Sequence, residues 1–383
     1  MEGPVAEARI RSRAGTFGKD GHFGCESPDK LAYGKEESME PIKLAVLGLN
    51  QGAKAARDAA ASDRFDLVAV AGFGDQAKAV AAEVNAPLYE DYRELLEKVP
   101  LDAVVVALPN NLHWPATEAA LKAGVKNLLV EKPIASTEED ANKIIEACKE
   151  AGATLLIGHQ RRSSATMLFL KQFIADGNLG DIVGIQASAT YAKPDSYYDI
   201  DWHKTTGPFL INTIHDIDDI HYITGMKVKR VYTAARNSIR HGLIEDSASV
   251  LLEFEEGPTC SYFVSDGTPS PWGYDMAALE MHFMNTYSGE NSLRVFGTKG
   301  SFGLPKMDFF YYLPERYGWT EPLQRKHFEV GRPDPATATL MHFADLCTGV
   351  ETRPRCTGEE GLATLKVIQA IMKSAETHQI VEL

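Results

Sequence analysis

The chain has 383 residues, 39 Lys and Arg against 53 Asp and Glu, a formal net charge of -14 and 44% hydrophobic residues; this length suits two domains that each bury a core, and the acidic balance excludes nucleic-acid binding driven by phosphate neutralisation. No apolar run reaches the roughly 20 residues of a membrane span, and no apolar segment near the N-terminus reads as a secretion signal. The five cysteines, Cys25, Cys148, Cys260, Cys347 and Cys356, are scattered without a paired motif, which excludes a disulfide framework or a zinc motif and suits a reducing, cytoplasmic setting.

Residues 1–40 are rich in Gly, Ser, Arg, Glu and Lys and show no periodicity, so they read as a flexible extension before a fold that begins near Pro41. From there strand and helix alternate. "IKLAVLGLN" (42–50) is an apolar strand ending in Gly48, followed by the helical "AKAARDAAAS". "FDLVAVAGFG" (65–74) and "DQAKAVAAEV" form the next pair. "LDAVVVALPNNLH" (101–113) precedes "WPATEAALKAG", and "VKNLLVEKP" precedes "STEEDANKIIEACKEAG", which Ser136 or Thr137 caps. "ATLLIGHQRR" is a fifth strand.

Continuously apolar strands separated by helices predict a doubly wound parallel sheet over residues 41–165, covered on both faces. Ligands of such sheets bind beyond the carboxyl ends of the strands, at the switch point. Gly48, Pro109, Asn110, His113, Glu131, Lys132, His159 and Arg162 all fall at those ends. The turn Gly48, Leu49, Asn50, Gln51, Gly52, Ala53 sits where a dinucleotide fingerprint belongs, with Asn50 at its second glycine position and Ala53 at its third. Its helix N-terminus is suited to a pyrophosphate. The acid expected at the end of the second strand to read the ribose is absent, Gly72 standing there, so NAD or NADP both remain open. After about residue 180 the runs "DIVGIQASATY", "VKRVYTAARN", "SASVLLEFEEG" and "TCSYFVSDG" read as successive strands of a second, α+β domain over 166–383.

Together "ALPNNLH", "LLVEKPIAS", "GHQRR" and "INTIHDID" resemble the oxidoreductase family named for glucose-fructose oxidoreductase, inositol 2-dehydrogenase and the rhizopine protein MocA. "LRVFGTKGSF" (293–302) and "GLATLKVIQAIMKSAET" (361–377) are also similar to it, so the resemblance spans about residues 42–383. It implies an N-terminal Rossmann domain holding a nicotinamide cofactor, an open and mostly antiparallel C-terminal sheet, and a last helix that packs back on the Rossmann domain.

The same resemblance implies that Lys132 reaches the reacting carbon–oxygen bond, where an ammonium stabilises a developing alkoxide or gives up its proton. It implies His215 as the acid or base, and a cis bond before Pro133. The family's aspartate four residues before that histidine is Ile211 here, with Asn212 beside it, so the proton chemistry is expected to fall on Lys132 and His215. Gly48, Asn50, Gln51, Gly52, Ala53, Leu108, Pro109, Asn110, His113, Glu131, Lys132 and Arg162 are expected around the cofactor. Tyr191, Trp202, His203 and Asn212 are expected around the substrate, and Tyr197 and Tyr198 are further aromatics for a sugar site. "GPFLINTIHDIDDIHYITG" (207–225) reads as an amphipathic helix; its His215, Asp218, Asp219 and His221 are taken as a polar face rather than a metal site. The expected activity is reversible oxidoreduction of a sugar, cyclitol or related polyol by a homodimer or homotetramer. The alternatives are a glycoside hydrolase or lyase that uses transient oxidation, and a non-catalytic dinucleotide sensor.

Overall fold

The computed structural model describes residues 40–199, 207–241, 244–280, 284, 286–287 and 289–383, so the expected N-terminal extension lies outside the described residues up to position 39. Residues 41–383 form one compact unit. Its first half runs β1 (Ile42–Leu47), α1 (Ala53–Ala60), β2 (Phe65–Ala71), α2 (Gly74–Glu83), β3 (Leu88–Tyr89), α3 (Tyr92–Lys98), β4 (Ala103–Val106), α4 (His113–Lys122), β5 (Asn127–Val130), α5 (Glu138–Glu150) and β6 (Thr154–Ile157). The six strands are parallel in the order β3-β2-β1-β4-β5-β6. This is the doubly wound arrangement, and its switch point lies between β1 and β4.

The sheet forms because each strand buries both faces. Leu44 and Val46 of β1 pack with Ala53 and Ala56 of α1, while Ala45 and Leu47 pack toward Leu95 of α3 and Ala116 of α4. Asp91 and Thr137 cap α3 and α5 through their side chains, Thr137 Oγ1 accepting from Asp140 N at 3.1 Å. The two-residue edge strand β3 and helix α3 carry no expectation from the sequence. Polar residues crowd around "PLYEDYRELLEKVP", and Leu95 and Leu96 are the short apolar pair that anchors it.

The second half comprises α6 (Ala165–Ala175), β7 (Ile182–Thr190), α7 (Ile214–Thr224), β8 (Val228–Arg236), β9 (Ser247–Phe254), β10 (Thr259–Ser265), α8 (Tyr274–Ala277), β11 (Leu293–Gly297), β12 (Gly300–Leu304), β13 (Asp308–Tyr311), β14 (Gln324–His327), α9 (Pro335–Thr348), α10 (Gly358–Thr377) and β15 (Val381–Glu382). Nine of its strands form a sheet ordered β14-β13-β12-β11-β7-β10-β9-β8-β15, antiparallel except for the β7–β10 pair. Burial alternates along β10 as far as Val264: Cys260, Tyr262 and Val264 are buried while Thr259, Ser261 and Phe263 are exposed. One face therefore carries the core under α6, α7 and α10, and the other faces outward.

The C-terminal helices join the two cores. Leu340 and Phe343 of α9 pack on the first sheet. Helix α10 gives Leu362 and Leu365 to the first core and Val367, Ile368 and Ile371 to the second. Among the described residues no helix is long and apolar enough to cross a membrane.

Candidate active site

Gly48 turns the chain out of β1 with φ +98°, and a Cβ there would lie 2.3 Å from the Ala107 carbonyl oxygen. At Gly52 a Cβ would lie 2.3 Å from the Gly48 oxygen and 2.7 Å from Val46. Only glycine lets this turn lie flat against the end of β4. Asn50 and Gln51 are exposed on the turn, and Gly52 and Ala53 are buried beneath it. Gly52 caps α1 without a side-chain hydrogen bond, and no acid stands in the first turn. The first N–H groups of α1 are thus presented to an anion at the switch point, as a pyrophosphate requires. Lys54 and Arg57 are committed elsewhere, to Asp58 at 2.6 Å and Glu83 at 2.8 Å.

Across the switch point, Leu108 and Pro109 lead into a 3₁₀ turn, Asn110–Leu112. His113, expected to touch the cofactor, is instead fully buried. One ring nitrogen lies 2.8 Å from the Leu108 carbonyl, and the other lies 3.0 Å from that of Pro133 and 3.3 Å from that of Ile134. Its ring ties the loop after β4 to the loop after β5. Burial holds its pKa below the ordinary histidine value.

At the end of β5, Glu131 and Lys132 are half-buried and the Lys132–Pro133 peptide is cis. Glu131 Oε2 accepts from the Lys132 backbone N–H at 3.2 Å. The Glu131 carboxyl lies over Gly158, where a Cβ would approach it to 3.1 Å. Burial raises the Glu131 carboxyl, partly offset by Lys132. The Lys132 amine is depressed by burial; Glu131 and Asp275 oppose the shift and Arg161 adds to it.

The helix expected over 207–225 begins as a π-helical turn, Phe209–Thr213, before α7, and ends at Gly225 with φ +71°. Asn212 is buried on that turn and donates through Nδ2 to the Tyr191 hydroxyl at the end of β7. One turn on, His215 is held well below its ordinary pKa by burial and by the charges of Lys132, Arg161 and His159. It is therefore a neutral imidazole in the same electrostatic neighbourhood as Lys132. The rings of His159 and His215 meet edge to face at 6.4 Å. Asn212 and Tyr191 are thus joined directly, His215 follows on the same helix, and the charge of Lys132 at the end of β5 acts on it. Trp202 and His203 lie outside the described residues.

The polar side of α7 is not a solvated face. Asp216, Asp218 and Asp219 are at most 5% exposed. Arg161 Nη1 donates to Asp216 Oδ1 at 2.9 Å and Asp219 Oδ2 at 3.0 Å, and its Nη2 to Asp275 Oδ1 at 2.9 Å. Tyr262 Oη donates to the second Asp216 oxygen at 2.6 Å. Arg162, expected beside the cofactor, has its guanidinium engaged elsewhere. It donates twice to Asp218 at 2.8 Å, to Glu360 at 2.5 Å and to the Arg355 carbonyl at 2.8 Å. Such burial of charge is tolerated because the carboxylates find donors. His159, Asp218 and Cys356 also bring ligand-type atoms within 4.8 Å of one another, but Asp218 is already held by Arg162.

Three residues that no motif singles out belong to this region. Arg161 stands inside the quoted "GHQRR", but a strand-end arginine gives no sign of three aspartates waiting in the fold. Asp275, on the short helix α8, and Lys193, two residues after Tyr191, lie in segments without motif or periodicity.

Residues 42–159 match the oxidoreductase family with an NAD-binding Rossmann fold, and residues 167–303 match the GFO/IDH/MocA C-terminal domain. The chain is 25% identical over 320 residues to the myo-inositol 2-dehydrogenase of Thermotoga maritima, covering 77% of this chain and 84% of that one. It is 25% identical over 360 residues to the NADP(+) D-xylose 1-dehydrogenase of Haloarcula marismortui, covering 90% and 93%. The fold superposes on the WlbA dehydrogenase of Bordetella pertussis, solved with NADH and UDP-GlcNAcA, with a TM-score of 0.71 and 23% identity over 90% of this chain and 99% of that one.

Proposed function

This chain belongs to the GFO/IDH/MocA oxidoreductases, and on that footing we propose that it carries hydride between NAD or NADP and a secondary alcohol or ketone of a sugar, cyclitol or related polyol, with Lys132 and His215 managing the proton. The observation that supports these two residues is that the charge of Lys132, at the end of β5, acts on the His215 imidazole of α7, whose ring meets that of His159, just beyond the neighbouring strand β6, at 6.4 Å. Neutral His215 accepts the substrate hydroxyl proton in oxidation and returns it in reduction. Lys132 Nζ donates to the same oxygen and stabilises the negative charge developing there; loss of one such donor typically costs about 10²- to 10³-fold in rate. Gly48, Asn50, Gln51, Gly52 and Ala53 hold the pyrophosphate, Leu108, Pro109 and Asn110 flank it, and Glu131 braces the ribose or amide side. Asn212 and Tyr191 position the polyol.

The test is a panel of cyclitols, aldoses and ketoses with NAD and NADP, read by the absorbance of the reduced nicotinamide, on wild type and Lys132→Met. Net NADH or NADPH formation by wild type, lost in the variant while cofactor still binds, is the expected result. Turnover without net absorbance change favours the transient-oxidation hydrolase or lyase instead. A partner of the same kind is part of this reading. Tyr232, Leu251, Phe263 and Trp272 are 43–50% exposed on the outward sheet face, and pairing two such faces in a homodimer or homotetramer removes them from water. Light scattering of the purified protein tests it. The free thiols of Cys148, Cys260, Cys347 and Cys356 fit a cytoplasmic setting.

A further inference from the structure

Lys193 carries a buried amine that the chemistry above does not use. It is 8% exposed, and its Nζ has no hydrogen-bond partner among the described residues. The carboxylate it faces, Asp266, lies 3.7 Å away. That acid is already engaged, accepting from Tyr198 Oη on one oxygen and from Arg240 Nε at 3.3 Å on the other. Two cations therefore share one carboxylate.

The backbone of Lys193 is pinned. Its N–H donates to the Asp266 carbonyl at 2.8 Å, and its own carbonyl accepts from Arg240 Nη2 at 2.7 Å. The side chain leaves the end of β7 two residues after Tyr191, the residue bonded to Asn212, and its Nζ sits 4.8 Å from the centre of the Tyr197 ring. Burial above all, with Arg240 and Lys132 adding to it and Asp266 opposing, pushes the amine down to about 8. Lys193 thus lies on the segment that Asn212 binds through Tyr191, with His215 one turn beyond Asn212.

An ammonium with unmet donors in a buried place is costly, and such groups in native folds mark a missing acceptor. We propose that Lys193 binds a carboxylate of the substrate, so that the preferred substrate is an acidic sugar or cyclitol, such as a uronate or aldonate, rather than a neutral polyol. This rests on the reading of Lys132 and His215 as the reacting centre. A carboxylate fits better than a phosphate. Lys193 and Arg240 with Asp266 leave one net positive charge, which matches a monoanion, and the Arg240 fork that would help hold a dianion is spent on Asp266 and two backbone carbonyls.

Calorimetric titration of the full chain saturated with NAD, using D-glucuronate, D-gluconate, D-glucose, myo-inositol and D-glucose 6-phosphate, tests the assignment. An acid is expected to bind about tenfold or more tighter than its neutral counterpart, a preference lost in Lys193→Met and partly kept in Lys193→Arg. Equal binding of acid and neutral sugar, or a preference that survives in Lys193→Met, overturns it; so does tighter, Lys193-dependent binding of the phosphate. The thermal midpoint of each variant confirms folding. NADH titration of wild type separates the two readings: failure to bind NADH defeats the dehydrogenase reading, whereas NADH binding without an acid preference defeats the carboxylate alone.

Discussion

Arg161 Nη2 donates to Asp275 Oδ1 at 2.9 Å, joining the segment after β6 to helix α8. Asp275 matters because Ile211 stands where the resemblance implies an aspartate. Its charge works on both Lys132 and Tyr191, raising each pKa. A carboxylate from another element thus reaches the region where the sequence lacks one. Asp275→Asn keeps an acceptor for Arg161 and removes the charge. With that charge gone the Lys132 amine falls further, so the limb of the kcat/KM profile that reports Lys132 moves to lower pH, and kcat/KM drops about tenfold, or about 1.4 kcal/mol. An unchanged profile would place Asp275 outside the site.

The Arg162–Asp218 pair is expected to serve stability rather than cofactor affinity. Arg162→Met leaves Asp218 as a buried carboxylate without its cation, a loss of about 3–5 kcal/mol. The measurement is urea unfolding beside NADH titration. The expected outcome is a large fall in the unfolding midpoint with NADH affinity unchanged in the folded protein. The reverse pattern restores Arg162 to the cofactor.

Where one physical pattern determines the outcome, the sequence carries it. The apolar runs 44–47 of β1, 103–106 of β4 and 128–130 of β5 require burial on both faces, and the period-two alternation of β9 and β10 requires a one-sided sheet. The cap at Thr137 and the turn at Gly48 are equally local. What stays hidden depends on pairing across distance. The aspartates of α7 look like a solvated face until Arg161 and Arg162, more than 50 residues earlier, meet them. His113 looks like a ligand-binding residue until three backbone carbonyls close around its ring. Lys193 has no local signal, because sharing one carboxylate with Arg240 is a property of the folded surroundings.

Acid should destabilise the protein over a defined window. His159, His221 and His342 are each pushed from the usual 6.5 down to about 4, by burial in every case. Each of these rings therefore binds more protons in the unfolded chain than in the native one between about pH 6.5 and 4, and its contribution to stability falls as pH falls through that interval, against the buried carboxyls of Glu131, Asp216, Asp219 and Glu280, which burial raises. Each pKa unit is worth about 1.4 kcal/mol, so one such histidine costs up to about 3 kcal/mol once pH reaches about 4. Unfolding midpoints measured from about pH 7.5 to about 4.5 are expected to decline steeply below about 6.5. A flat profile would mean that these rings are protonated in the native state.

Gly48 and Gly124 separate backbone conformation from close approach. Both have left-handed φ, +98° and +89°, so alanine at either strains the backbone by about 1–3 kcal/mol. Around Gly124 no atom lies within 4 Å of the added Cβ, whereas at Gly48 it meets the Ala107 oxygen at 2.3 Å and the Leu108 nitrogen at 2.9 Å. Those atoms are backbone at the end of a central strand and have little room to move. Relief comes from displacing the turn, which carries the first N–H groups of α1 away from where a pyrophosphate would lie. Gly124→Ala is expected to lower the thermal midpoint by a few degrees and leave the NADH dissociation constant unchanged. Gly48→Ala is expected to weaken NADH binding about tenfold or more, beyond its effect on the midpoint. Equal NADH affinities in the two variants would show that the turn at Gly48 does not shape the cofactor site.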